Sequence, residues 1–362
     1  MREIRILHLL YAGPGGLGSY FMNFVKGDHQ KRFDHHAFFY GIEPVYVEYT
    51  KFCASREIPY HFHHKGKSFD LEVYQVIRRY ILHWKIDAVI FHTFSLTPLL
   101  VLRYNLPVQW IAIDHTSYAF KTRKEKIFTL VHHLLADCMI YFQRDQFKTL
   151  QKTFPFITFG KKSLILTKTI DHDLFYRVYR KEPPIFTVGM AARMVPGKRF
   201  DLILRTIQAM RSAGMIICAK FAGDGPMRAS LESQCDMLQI KDYIQFEGVL
   251  PPDAMPSFYD SLSVYVHATE GETVCYSIME AQAAGLPVLA SDVKGVNNVD
   301  ELKGALLFKN SVDDLVKAIT SVYQDQEYRL KLSHDMVQFS KKASLAASNA
   351  EILYNRLLPS AS

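Results

Sequence analysis

Short apolar runs separated by helix-like patterns recur along the whole chain. In the first half RILHLLYA, HHAFFYG, DAVIFHT, VQWIAID, CMIYFQR and KSLILTK read as buried strands, with helices such as Asp70–Trp84 between them. The rhythm restarts with IFTVGMAA, IICAKFAGD, YIQFEGV, SVYVHAT, PVLASDV and ALLFK, among helices over Asp201–Arg211 and Met227–Leu238. Continuous apolar strands alternating with helices predict parallel sheets covered on both faces. Two consecutive series predict an α/β chain with two doubly wound domains. A length of 362 residues suits that division, because a single core seldom grows past about 250–300 residues. The polar stretch Asp173–Pro184 marks the break. The predicted domains are 1–178 and 179–340, with a helical piece 341–362, including amphipathic Glu351–Leu358, expected to pack back on the first.

The chemistry concentrates in HATEGETVCYSIMEAQAAGLPVLASD, where Glu272 and Glu280 stand eight residues apart. Glu272 falls in the loop past the strand Ser263–Val266, and Glu280 lies on a helix, Ser277–Ala284, stopped by Gly285. Ligands of open parallel sheets bind outside the carboxyl ends of the strands, so this loop lies where chemistry belongs. Spacing alone leaves an equal case for two solvated charges.

The surroundings change that balance. Arg193 follows the first strand of the second series, and Lys198 opens the next helix. A guanidinium fork and an ammonium point charge flanking one loop suit a diphosphate, although Lys198 and Arg199 also fit plain surface charges. In FAGDGPMRASLE, Gly223 and Gly225 permit a sharp turn before Pro226, and a further strand ends at Glu247-Gly248-Val249. Near the N-terminus Gly13-Pro14-Gly15-Gly16-Leu17-Gly18 follows the first strand and opens a helix. That pattern brings bare amides to a diphosphate, or serves only a tight turn. It also supports a nicotinamide-dependent dehydrogenase, for which Glu43 would have to act as the ribose acid, somewhat late in the chain.

Composition narrows the class. Hydrophobic content of 49% with 22% charged residues is that of a soluble globular protein, and no apolar stretch approaches the roughly 20 residues of a membrane span. MREIRILHLLYAGPGG reads as a first strand and not as a signal peptide. The five cysteines form no C-x-x-C pair, which suits reduced thiols in a cytoplasmic protein. Through residue 180 there are 25 basic against 15 acidic residues, net +10, and the remainder is net −3. A basic half suggests an anionic partner. Arg78, Arg79, Tyr80, Trp84 and Lys85, with Lys121, Arg123, Lys124 and Lys126, suggest docking to an anionic membrane surface. No nucleic-acid motif accompanies the charge, so no nucleic-acid partner is expected. His61-Phe62-His63-His64 reads as a strand end or loop in place of a metal site, and Asp171-His172-Asp173 as structural.

The ordered set R-x4-K, G-D-G-P, F-x-G, E-x7-E and EAxAxGxPVxAS resembles the family-4 retaining glycosyltransferases of GT-B architecture. The resemblance is close over residues 185–300 and looser in the first half, where it rests on Gly15-Gly16, DAVIFHT and His115. It implies two Rossmann-like domains facing each other across a cleft. It implies a cytoplasmic enzyme, peripheral at the inner membrane face, moving a sugar from a UDP- or GDP-linked donor to a glycan or lipid-linked acceptor in cell-surface polysaccharide assembly. Arg193 and Lys198 match the pair holding the donor diphosphate, Glu280 the acid on the ribose hydroxyls, and Glu272 the acid facing the sugar. The amides of Thr273, Val274 and Cys275 match contacts to sugar and phosphate, and Gly15 and Gly16 the loop closing on the diphosphate. Gly223, Gly248 and Val249 line the donor edge, and His115 matches a histidine near the anomeric centre. Neither a metal nor a cofactor beyond the donor is implied. The family's usual E-G-F-G is Glu272-Thr273-Val274-Cys275 here, its usual Asn-Gly before the crossover is Lys168-Thr169, and Glu270 competes with Glu272 for the sugar-facing role. The alternatives are the dehydrogenase and a catalytically inactive sugar-nucleotide-binding protein.

Overall fold

The structure, a computed structural model, describes residues 3–66, 70, 72–92, 106–115, 121–142, 144–155, 163–166, 170–177, 182–272, 275–293, 295–296, 304–344 and 349–357. The chain forms two compact units, Met1–Thr169 with Ala347–Ser362, and Ile170–Ala346.

In the first unit the strands are β1 (Ile4–Tyr11), β2 (Phe33–Gly41), β3 (Tyr60–His64), β4 (Ala88–Phe91), β5 (Gln109–Asp114), β6 (Cys138–Tyr141) and β7 (Ser163–Ile165). They pair in parallel in the order β3-β2-β1-β4-β5-β6-β7, with Ile4 opposite Phe33 and Ile6 opposite Ala88. Side-chain alternation feeds two cores. Leu7 and Leu9 join Val89, Trp110 and Met139 on one face, while Leu10 joins Phe21, Phe39 and Tyr49 on the other. Residues His61–His64 lie in β3, an edge strand too polar and too exposed to show as an apolar run. The His63 Nε2 atom lies 3.0 Å from Asp70 Oδ2, so its polar partner is an acid outside the strand.

A polar chain crosses the middle of this sheet. Asp28 Oδ2 lies 3.4 Å from His35 Nε2, His35 Nδ1 3.1 Å from His8 Nε2, and His8 Nδ1 3.1 Å from His92 Nε2. An ionised carboxylate only accepts, so the His35 proton sits on Nε2 toward Asp28; His35 Nδ1 then accepts from His8 Nε2, and His8 Nδ1 from His92 Nε2. Burial holds His8 well below its ordinary pKa and pushes His92 down to about 3, keeping both rings neutral.

The second unit contains β8 (Phe186–Ala191), β9 (Ile217–Ala222), β10 (Ile244–Gly248), β11 (Val264–His267), β12 (Val288–Ser291) and β13 (Leu306–Phe308). Their parallel order β10-β9-β8-β11-β12-β13 reverses direction beside β8, which puts a topological switch point between β8 and β11. Helix Phe200–Ser212 buries Leu202, Ile203, Ile207 and Met210 against this sheet. Both units are thus doubly wound parallel α/β folds.

The division between units differs from the one read in the sequence. The predicted 178/179 boundary lies outside the described residues, and residues 170–177 already belong to the second unit. Asp171 caps the short helix His172–Phe175, and Phe175 packs edge-to-face on Tyr259 with ring centroids 6.0 Å apart. That capping gives Asp171-His172-Asp173 a structural role. Residues 341–346 also stay with the second unit, because helix Gln326–Ser344 runs on unbroken and buries Met336 beneath it. Helix Asn349–Leu357 packs on the first unit, where Tyr354 meets the Phe33 ring at 5.8 Å. Lys168-Thr169 lies outside the described residues.

Gly223, at φ +123°, presses against the backbone carbonyl of Ala192, so the loops after β8 and β9 touch without room for a side chain. Gly223→Ala is expected to lower the unfolding free energy by about 2–4 kcal/mol in urea titration. Gly214→Ala, at φ +83° but facing open space, reports the backbone strain alone and is expected to cost about 1 kcal/mol.

Candidate functional site

At the carboxyl edge of the second sheet, the loop after β8 is stitched to the loop after β11. Lys198 and Thr269 form an antiparallel bridge, the Arg199 amide donates to the Ala268 carbonyl at 3.0 Å, and the Glu270 amide donates to the Gly197 carbonyl at 2.9 Å. Gly197, at φ +87°, makes the turn that lets Lys198 enter this bridge. The stitching sets the Lys198 ammonium against the Glu272 carboxylate in an ion pair whose side chains are 18% and 15% exposed. His267, the last residue of β11, lies underneath, with Nε2 2.9 Å from Glu272 Oε1 and 3.5 Å from Lys198 Nζ. The shorter contact assigns the Nε2 proton to the bond with Glu272. Burial and the neighbouring Lys198 charge keep His267 well below its ordinary pKa, hence neutral. Burial also lowers Lys198, against the opposing pull of Cys275.

The buried Cys275 thiol lies 3.4 Å from both His267 nitrogens and 3.1 Å from Ser277 Oγ. It turns into the unit toward His267 and not outward, so what Cys275 can present to a donor sugar is its backbone. Tyr265 ties the set together. Its hydroxyl donates to Ser277 Oγ at 2.7 Å, accepts from the Ala191 amide at 3.3 Å and lies 3.3 Å from His267 Nδ1.

Glu280 belongs to a neighbouring but different environment, on helix Tyr276–Ala283. Buried Tyr259 donates to its Oε2 at 2.8 Å, and burial pushes the carboxyl up to about 7 in spite of that bond. Arg193 stands exposed on the loop after β8, with its backbone held because the Met194 amide donates to Asp224 O at 2.9 Å. The Gly223 amide donates to Gly248 O at 2.6 Å, bringing those two glycines together beside exposed Val249. Lys198, Glu272 and Cys275 therefore share one cluster, Glu280 adjoins it through Tyr259 and Ser277, and Gly223, Gly248 and Val249 line the β9–β10 edge. Thr273 and Val274 lie outside the described residues. Glu270 is exposed and faces Arg199 at 3.8 Å, apart from the Lys198 cluster, so Glu272 is the acid held there.

In the first unit Gly15 is the N-cap of helix Gly16–Lys26 and supplies no side-chain cap to it. The Gly15 amide donates to the Tyr49 hydroxyl at 3.0 Å, and the hydroxyl donates back to the Gly15 carbonyl at 3.2 Å. His115, just past β5, packs among Tyr20, His92 and Phe142 with ring centroids 5.3, 5.8 and 5.2 Å away. Lys121, read as part of a basic surface, is instead buried, bonded to Asp114 and Thr129. A buried acid at the end of β5 needs that cation, which local charge counting does not reveal.

Sequence reasoning missed His267, Tyr265, Tyr259 and Gly295. The first three sit in apolar runs and read as core. Gly295, at φ +85°, abuts the Glu272 backbone so closely that a Cβ would collide with it, a contact made across two loops.

Residues 177–343 match the family described as glycosyl transferases group 1. The D-inositol 3-phosphate glycosyltransferase of Corynebacterium glutamicum is 25% identical over 178 residues, 46% of this chain and 43% of that protein. The GDP-mannose-dependent alpha-mannosyltransferase of Mycobacterium tuberculosis is 32% identical over 149 residues, 40% of this chain and 36% of that protein. The chain spans less than half the length of these curated relatives. Among solved structures, Anabaena Alr3699/HepE in complex with UDP-glucose superposes with a TM-score of 0.78 at 13% identity, covering 98% of each chain. TarM gives 0.79 at 10% identity, covering 98% of this chain and 99% of that one. These likenesses establish the GT-B fold.

The Glu280 carboxyl has an ordinary value of 4.5 and a native value of about 7, so between those values the native state binds more protons than the unfolded chain. Stability contributed by this group therefore falls as pH rises through that window. Glu280→Gln keeps an acceptor for Tyr259 and does not titrate. In urea titrations across pH the variant is expected to gain on wild type by up to about 3 kcal/mol above pH 7, with the gap closing near pH 4.5.

Proposed function

We propose that this chain, whose residues 177–343 match the glycosyl transferases group 1 family, transfers a sugar from a nucleoside diphosphate sugar to a glycan or lipid-linked acceptor. The observation that carries this reading is the Lys198–Glu272 pair, stitched into place at the carboxyl edge of β8 and β11. A fixed cation beside exposed Arg193 suits the charge that develops on a departing diphosphate. The mechanism we infer needs no enzymic nucleophile. The anomeric carbon–oxygen bond to the diphosphate breaks, the acceptor oxygen bonds to the same face, and its proton passes to the leaving phosphate oxygen. Lys198 and Arg193 steady that phosphate, and no metal is required for the role. Glu272, relieved of Lys198 as the diphosphate arrives, turns its carboxylate to the donor sugar. Glu280, beside Tyr259, accepts from ribose hydroxyls in its ionised form. The Cys275 amide addresses the sugar, and Gly223, Gly248 and Val249 flank the nucleotide.

The names of the relatives, one GDP-mannose-dependent and one fold neighbour seen with UDP-glucose, support a sugar nucleotide and leave the base open. Arg78 and Arg79 are exposed beside Leu82 and Trp84 on and just after helix Glu72–His83. Such a patch suits an anionic membrane carrying the acceptor, as in polysaccharide assembly. Among the described residues no helix is long and apolar enough to cross a membrane. The dehydrogenase reading rested on the glycine loop alone and draws no support from the family match.

Thermal-shift titration with UDP, GDP and their sugar conjugates is expected to show stabilisation by one base. Lys198→Ala and Arg193→Ala are expected to weaken nucleotide binding roughly tenfold or more each. Glu272→Gln is expected to retain nucleotide binding while slowing nucleoside diphosphate release from the donor about a hundredfold. Binding of neither nucleotide would overturn the reading, and binding without turnover in a screen of acceptors would favour the inactive binding protein.

A further inference from the structure

The side chains around Lys198 have a second chemical capacity. His267 offers an imidazole nitrogen, Glu272 a carboxylate oxygen and Cys275 a sulfur, with all three atoms within 4.8 Å of one another. The nitrogen–oxygen separation is 2.9 Å and the sulfur–nitrogen separation 3.4 Å. A tetrahedral ion with ordinary zinc–ligand bond lengths holds its ligand atoms about 3.3–3.6 Å apart, so adjustments of half an ångström or less meet these two edges. We propose that His267, Glu272 and Cys275 form a binding site for a thiophilic divalent cation, of the Zn²⁺ or Co²⁺ kind, which occupies the pocket in place of the Lys198 ammonium.

Three features argue for it. Lys198 Nζ already contacts both His267 and Glu272, so a positive charge is what this pocket accommodates. The orienting partner of a metal-bound imidazole is in place, because Tyr265 lies 3.3 Å from Nδ1 and can accept its proton. Its hydroxyl then keeps its own bond to Ser277 at 2.7 Å. The ligand set of one sulfur, one nitrogen and one oxygen selects zinc-like ions over Mg²⁺ or Ca²⁺, which prefer oxygen.

The balance is simple. The Cys275 thiol loses its proton to solvent as the sulfur–metal bond forms. The His267 proton moves from Nε2 to Nδ1, Glu272 exchanges its ion pair for a metal–oxygen bond, and Lys198 swings toward solvent. Two anionic ligands neutralise the dication, and one proton is released per ion bound. The fourth position opens where Lys198 stood. A bound ion would take Glu272 and Lys198 away from a sugar nucleotide, a consequence that rests on the donor-site reading above. The binding itself does not.

The test is a Co²⁺ titration of the full chain after chelator treatment, read by the sulfur-to-cobalt charge-transfer absorption and by proton release. The expected result is saturation at one cobalt per chain, with the band reversed by added Zn²⁺. Cys275→Ser and His267→Asn are each expected to lose the band while retaining a cooperative thermal transition. Cys218→Ser, which removes the partly exposed thiol on β9, is expected to keep it. Absence of the band in wild type, its survival in Cys275→Ser, or its loss in Cys218→Ser would overturn the site. None of these outcomes bears on nucleotide binding, which the thermal-shift titration reads separately.

Discussion

The ion pair between Lys198 and Glu272 is the constraint around which the second unit's carboxyl edge is organised. Two charges this far from water are costly alone, and are tolerated only where each meets the other and the remaining polar atoms are satisfied. The fold meets that requirement with backbone and not with long side chains. The Lys198–Thr269 bridge and its flanking amide bonds fasten neighbouring loops, so the backbone that carries the ammonium is fixed beside Glu272. Gly295 closes against the other side of Glu272. The result is a pre-placed charge pair, which is what a reaction developing negative charge on a leaving group can use without reorganising its surroundings.

The two glutamates eight residues apart show how environment separates identical side chains. Glu272 faces a cation and a neutral imidazole. Glu280 faces a phenol, and burial raises it to about 7, where small changes in surroundings decide its charge. Glu272 reaches Ser277 through His267 and the Tyr265 hydroxyl, and Glu280 reaches the same residue's carbonyl through the Tyr259 hydroxyl.

The first unit solves a similar problem differently. Its central sheet carries neutral histidines where a core is ordinarily apolar, and Asp28 fixes the direction of their hydrogen bonds from one end. Asp28 itself is held below its ordinary pKa, burial being outweighed by His35 and the amides of Arg32 and Phe33. Along the sequence His8, His35 and His92 are far apart, and only the sheet brings their rings together. Lys121 is buried against an acid at the end of β5, a placement that counting charges along the chain does not reveal.

Periodicity and composition by themselves determined the two α/β series, nearly every strand, the placement of Arg193, Lys198 and Glu272 in loops past strand ends, and that of Glu280 on the following helix, because those depend on local apolar runs and on chain order. They could not place the exposed, polar edge strand β3, nor the true division at Thr169 and Ile170, which depends on where Phe175 and the continuous helix through Ser344 find their packing. Only the tertiary structure decided that Lys198 and Glu272 are partners, that His267 is polar machinery and not core, and that the Cys275 side chain turns inward. Those are contacts between loops distant in sequence, set by sheet order and by backbone bridges, and no spacing along the chain encodes them.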